Sequence, residues 1–278
     1  MIFEPFLSNL FLQYALFASF AASIASGVIG SYVVVKRIVF ISGSISHSVL
    51  GGMGFCLWVN RHYEIPWLSP LQGALASGIL SALLIGWIHL KYREREDTVI
   101  AALWSTGMSI GVIFTTLTPG YTAELMSFLF GNILWVSQRD IHLLLGLDLL
   151  VITLVAIFHR KFLAICFDEK QALLQGIAVH SLYLLLLCLI AISVVLLIQV
   201  VGAVLVITML TIPAAIASTL THRLSSIMVI AVALGWLFSF LGLSFSYTLN
   251  WPPGATIALT AALFYTFSLL KKKNVSTC

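Results

Sequence analysis

Residues 182–201 read Leu-Tyr-Leu-Leu-Leu-Leu-Cys-Leu-Ile-Ala-Ile-Ser-Val-Val-Leu-Leu-Ile-Gln-Val-Val, twenty positions without a charge. As an α-helix rising about 1.5 Å per residue, such a run is about 30 Å long, the thickness of a bilayer's hydrocarbon core. It is apolar on every face, so an amphipathic helix on a water-exposed globule is excluded. Eight comparable runs flank it: 10–35, 42–59, 71–90, 99–117, a fifth reaching Phe158, then 204–220, 227–245 and 255–270. A shorter one covers 125–136.

The composition says the same of the whole chain. Of 278 residues, 60% are hydrophobic and 9% charged, against roughly 25% charged in an average soluble domain. So few charges cannot cover a 30.4 kDa globule, and a mean hydropathy of +1.08 asks for an apolar solvent. Intrinsic disorder, which needs low hydrophobicity and high charge, is excluded by the same figures. The reading is an all-α polytopic membrane helix bundle of eight or nine transmembrane helices plus one short re-entrant or partial helix. It forms a single transmembrane domain over 1–278, with about 10–270 in or at the membrane and 271–278 as a tail. The N-terminal run follows Glu4 and no basic residue, unlike a secretory signal, and is read as the first membrane helix.

Basic residues fix an orientation, because Lys and Arg concentrate in short cytoplasmic loops. With Lys36 and Arg37 inside and nine crossings, 12 of the 14 basic residues fall inside, leaving Arg61 and Arg139 outside. Counting 125–136 as a crossing would destroy that bias, and a helix of that length is too short to span the core. The N-terminus is then outside and the C-terminus, with Lys271 to Lys273, cytoplasmic. The net charge of +4 is a topology signal of this kind, and nothing supports nucleic-acid binding. Cys56, Cys166, Cys188 and Cys278 are scattered without zinc-site spacing and read as packing residues.

Few residues carry chemistry. The second run, SGSISHSVLGGMGFCLWVN, places Gly43, His47, Gly51 and Gly54 on one helical face, with Ser46 beside the histidine. Small residues let membrane helices approach closely, which makes a packing seam one reading of this face. The other is a pathway: a mid-membrane histidine is costly unless it meets a cavity or partner, and neutral imidazole ligates first-row transition metals. On that reading the ring stands in a narrow cleft with little side-chain bulk around it. Asp148, among leucines, is either a hydrogen-bonded structural acid or a cation ligand. Enzyme motifs are missing: no GxxxxGK[ST], HExxH or GxSxG occurs, so ATP cannot be bound in the P-loop manner. Two polar boundaries remain. Asp168 is placed to cap a helix beginning at Glu169. Around Pro213-Ala214-Ala215 a proline is expected to break the helix before His222-Arg223.

Four collinear stretches carry a resemblance. Phe40 to Gly52 (FISGSISHSVLGG) is close to F-[IL]-G-D-[AS]-[LI]-[SA]-H-[AS]-x-L-x-G. Phe130-Gly131-Asn132-Ile133-Leu134 matches FGxIL, Phe167 to Gly176 matches FDxxxAxxxG, and Val201 to Ala217 matches VGxLLVxxLLxxPAAxA. The chain resembles the permease subunit of the ABC transporters that import zinc, manganese or iron with a separate binding protein.

The resemblance implies a multi-pass protein of the bacterial plasma (inner) membrane with no permanently bound cofactor. It implies a transported Zn²⁺ or Mn²⁺, with iron as a third, and ATP used only through a cytoplasmic ATPase partner. An extracytoplasmic metal-binding protein and a second permease chain, identical or different, complete the assembly. His47 and Asp148 are the candidate metal residues, and Gly43, Ser46, Gly51 and Gly54 the candidate pathway lining. Pro213, Ala214, Ala215, His222, Arg223, Asp168 and Glu169 are the candidates for coupling to the ATPase. At one position the chain departs from the pattern: the acid usually four residues before the histidine is Gly43. Asp148, an acid from the second permease chain, or only weak contact with the ion are the alternatives. The rival class is a stand-alone secondary transporter or an intramembrane enzyme; a proton-coupled carrier should show several buried acids in different helices, and only Asp148 qualifies.

Overall fold

The computed structural model describes residues 9–65, 67–92, 96–118, 128, 131 and 133–275, with the backbone alone at 92, 96, 97 and 271–275. Among these residues are ten α-helices and no strand. They are α1 (Leu10–Val35), α2 (Val39–Tyr63), α3 (Pro70–Tyr92), α4 (Glu96–Leu117), α5 (Gln138–Phe167), α6 (Glu169–Leu174), α7 (Val179–Val201), α8 (Ala203–Leu220), α9 (Leu224–Leu249) and α10 (Pro253–Val275). All except the six-residue α6 are long and apolar enough to cross a membrane, nine in number among the described residues. Helix is the expected answer, since in hydrocarbon every backbone N–H and C=O must be satisfied within the segment. Leu149 and Val229, each 70% exposed, and Ile157, 64% exposed, lie on spans where lipid rather than water is the neighbour.

Two boundaries differ from the sequence reading. The fifth apolar run reaches Phe158 and is followed by Arg160-Lys161, yet α5 continues to Phe167. Phe162 and Ile165, both fully buried, extend the packed face beyond the charges, and their burial outweighs the local polarity. Pro213 was expected to break its helix, yet it sits inside α8. It costs the Met209 carbonyl its usual donor, but Met209, Leu210, Pro213, Ala214, Ile216 and Ala217 form a continuous buried face that holds the helix through it. Of the short segment over 125–136, residues Ile133–Trp135 form a 3-10 turn. Positions 125–127, 129, 130 and 132 lie outside the described residues, as does the charged loop at 93–95.

The helices gather into two compact units. The first holds α1, the start of α5, α8, α9 and α10. Here α1 packs on α8 and α9, and its buried residues are mostly Ala, Gly and Ser, joined by Leu12, Ile29, Tyr32 and Val33. The reason is distance. A Cβ on Gly30 would run into the Leu210 carbonyl oxygen of α8, and one on Gly27 would stand 2.7 Å from the Val232 amide of α9. The buried hydroxyls of Ser19, Ser23 and Ser31 donate to Ala15, Ser19 and Gly27 carbonyls of the same helix at 2.6, 2.7 and 2.6 Å.

The second unit holds α2, α3, α4, the end of α5, α6 and α7. In it α2 lies against both α3 and α4. Gly52 of α2 and Gly73 of α3 meet backbone to backbone, since a Cβ on either would strike the other's carbonyl oxygen.

Candidate functional site

The face of α2 read from sequence turns toward α4. A Cβ on Gly51 would stand 2.9 Å from the Gly107 carbonyl oxygen, and one on Gly54 3.3 Å from that of Gly111. The approach is reciprocal, because a Cβ on Gly107 would overlap the Ser48 backbone. The seam is pinned once by a directional bond, from the buried Ser44 hydroxyl to the Ile100 carbonyl of α4 at 3.0 Å. Ser46, fully buried, donates to Ser42 at 2.8 Å within α2.

His47 is half-buried on this face and stacks on Trp104 of α4, with ring centroids 4.4 Å apart and planes 14° from parallel. The expectation of little side-chain bulk around it is therefore corrected: an indole covers one face of the imidazole. The same indole covers position 43, where a Cβ would stand 3.3 Å from Cζ3 and 3.8 Å from Cη2 of Trp104. Sequence reasoning passed over Trp104. The signal was present, since Trp104, Gly107 and Gly111 follow at intervals of three and four, the spacing of one helical face.

Asp148 belongs to the first unit and His47 to the second. The carboxyl is 5% exposed on α5, and neither oxygen has a hydrogen-bond partner among the described residues. The backbone amide of Ala25 in α1 lies alongside, outside hydrogen-bond geometry. The structural-acid reading expected a satisfied carboxyl, and this one is orphaned. Buried groups of this kind are rare and costly, and they concentrate where a proton or cation is handled. Among the described residues no group of three His, Cys, Asp or Glu side chains is arranged to hold a metal ion.

The end of α5 carries the clearest polar construction. Asp168 caps α6 as expected, its carboxylate accepting from the amides of Lys170 and Gln171 at 2.9 and 3.0 Å. Lys36, at the corner between α1 and α2, reaches into the same place. Its ammonium donates to the Ile165 carbonyl at 3.0 Å, pairs with the Glu169 carboxylate, and lies 5.2 Å from the centroid of the Tyr183 ring of α7. The Lys36 side chain is 11% exposed and that of Glu169 33%. Beside them Phe167, Leu173 and Leu174 are exposed, and a shallow cavity of about 210 Å³ opens between Arg160, Phe167, Asp168, Gln171 and Gln175.

The second polar boundary divides differently from the sequence reading. Pro213 and Ala214 are buried, Ala214 in a cluster with Ala217, Ile227 and Ala231, and Ala215 is half-buried. A protein docking there would meet Leu220, His222 and Arg223, which are exposed where α8 gives way to α9. Pro213 and Ala214 lie beneath that surface.

Comparison with known proteins gives a consistent result. A profile of the ABC 3 transport family matches residues 8–272. A protein of Chlamydia muridarum named a probable metal transport system membrane protein is 47% identical over 263 residues, 95% of this chain and 89% of that protein. The manganese transport system membrane protein MntC of Listeria monocytogenes is 34% identical over 270 residues, 97% and 94% of the two chains. Among solved structures, PsaBC from Streptococcus pneumoniae in complex with Fab superposes with a TM-score of 0.83 at 30% identity, over 96% of this chain and 94% of that one. Matched across nearly its whole length, the chain belongs to the ABC 3 transport family.

Proposed function

We propose that the chain is the membrane-spanning permease subunit of an ATP-driven importer of a divalent transition metal, zinc or manganese with iron as a third. The observation that carries this reading is His47: an imidazole in the interior of an apolar span, on a face otherwise made of glycine. A histidine at that depth implies a partner or a path. One nitrogen ligand with few neighbours binds a divalent cation well enough to admit it and weakly enough to release it. The manganese function named for the Listeria relative supports the substrate class.

The assembly proposed has two permease chains, identical or different, in a bacterial plasma membrane, with N-termini outside and C-termini in the cytoplasm. A binding protein delivers metal outside. A cytoplasmic ATPase docks on α6 with its apolar rim and on the exposed turn Leu220 to Arg223. Closure of the ATPases on ATP moves these two attachments and exposes the ion path alternately to each side. A ligand or nucleotide drives such a cycle only through different affinities for the two states, so the ATPase must grip one arrangement of α6 more tightly than the other.

One observation favours a second reading. The orphaned Asp148 carboxyl is the type of group through which a proton-coupled carrier works. Reconstitution separates the two. With its ATPase in liposomes the chain is expected to show ATP hydrolysis stimulated by the binding protein and metal, and metal uptake that stops without ATP. Uptake driven by a proton gradient alone would sink the importer reading.

A further inference from the structure

Position 43 and Trp104 form a matched pair. The indole lies flat on His47 and continues over Gly43, where a single added Cβ would be within 3.3 Å of the ring. A carboxylate extends beyond its Cβ, so an acid at 43 and the indole in its present position compete for the same volume. Glycine spares the indole the few tenths of an ångström by which it would have to give way to a Cβ at this position.

The chemical consequence follows from how imidazole binds metals. Coordination uses an in-plane nitrogen lone pair, and in most metal proteins the plane is fixed through a hydrogen bond at the other nitrogen. Stacking fixes the plane through the face of the ring and leaves both nitrogens free at its edge. An oxygen donor beside the imidazole favours manganese. Imidazole without oxygen favours zinc, which also stands above manganese in general affinity order.

We propose that Trp104 is a specificity-determining residue of the ion route: its indole occupies the volume of an acidic ligand at position 43 and holds the His47 ring, so that the ion meets nitrogen without oxygen and zinc is preferred to manganese. The proposal rests on the reading of His47 as an ion contact. It also sets the expectation for Gly43→Asp. That substitution alone adds a carboxylate where the indole already stands, so it lowers uptake of both metals without shifting their ratio. Shrinking Trp104 at the same time makes room, and the site gains its oxygen.

The test measures zinc and manganese uptake by intact cells carrying the complete transporter, normalised to the amount of the chain in the membrane. The expected result is that Gly43→Asp loses uptake of both metals, while Gly43→Asp with Trp104→Ala recovers uptake and raises the manganese-to-zinc ratio by about tenfold, the scale on which the shell around a metal ligand acts. Trp104→Phe, which keeps a stacking ring, should retain the parent ratio. If Gly43→Asp alone shifts the ratio as far as the double variant, or the double variant keeps the parent ratio, Trp104 does not set preference. Failure of the double variant to accumulate, with Trp104→Leu in place of Trp104→Ala giving the same failure, overturns it too, because the proposal requires that a smaller side chain accommodate the acid. His47→Ala separates the levels: normal uptake by that variant removes the ion contact itself. Lost uptake with an unshifted double variant removes only the role of Trp104.

Discussion

Replacing Lys36 by methionine should loosen α6 while leaving the apolar stem of the side chain in place. The helix has six residues, too few to persist by its own ladder. Its position therefore depends on the Asp168 cap, worth about 1 kcal/mol, and on the Lys36 ammonium. That ammonium makes a charged hydrogen bond to the Ile165 carbonyl, about 1.5–3 kcal/mol. Its pairing with Glu169, a third of whose side chain meets solvent, adds about 0.5–1 kcal/mol after screening. The contact with Tyr183 contributes about 0.5–1 kcal/mol. These terms share one nitrogen and do not add fully, so Lys36→Met should cost about 2 kcal/mol locally. Because 1.36 kcal/mol is a factor of ten, amide protection in residues 169–176 should fall about thirtyfold. Glu169→Gln removes only the ion pair and should cost about fivefold. Hydrogen exchange read by mass spectrometry on peptides across 166–177, in lipid nanodiscs, measures both. Unchanged protection in Lys36→Met, or a larger effect from Glu169→Gln, would refute the assignment of Lys36 as the principal tether.

Three further outcomes are expected. Asp148→Leu removes a buried carboxyl with no hydrogen-bond partner among the described residues, so membrane abundance and thermal stability should hold or rise while metal uptake falls; unchanged uptake would take Asp148 out of the transport cycle. Gly30→Val places side-chain carbons against the Leu210 carbonyl and should cost at least about 1–3 kcal/mol by overpacking, seen as loss of the folded chain from membranes; normal abundance would contradict the close approach of α1 and α8. In a background without native cysteines, a cysteine at His62 should react with impermeant reagent in intact cells, and one at Arg95 should not. The reverse pattern would invert the proposed topology.

The spans were legible because their signal is local. Twenty apolar positions in a row admit one solution in a bilayer, and the nine runs reappear as nine helices among the described residues. The face of α2 and the Asp168 cap were also readable, since each depends on residues a turn apart. What escaped was decided by neighbours distant in sequence. Arg160 and Lys161 looked terminal because the burial of Phe162 and Ile165 is a tertiary fact. Pro213 looked like a break because nothing in its own stretch reveals the packing that carries α8 through it. Ala214 reads as part of a polar boundary, and its place in a buried cluster with Ala217, Ile227 and Ala231 is a tertiary fact. Trp104 stood at a readable spacing, but its meeting with His47 depends on α2 and α4 lying side by side, 57 positions apart in the chain. The grouping into two units was invisible for the same reason, since each unit gathers separate stretches of the chain.

The serine hydroxyls of α1 differ in one respect from Ser44 on α2. Ser19, Ser23 and Ser31 are turned back onto their own helix, whereas Ser44 reaches across to another. Directional bonds between helices resist displacement, because a shift of an ångström breaks them. Contact at glycine is held by shape instead, because any slide of α1 brings a Cβ against the Leu210 carbonyl that Gly30 now faces. The joint of α2 with α4 thus carries a detent, and that of α1 with α8 and α9 a key cut to one register. In a cycle that must move helices without unfolding them, α1 should travel together with α8 and α9.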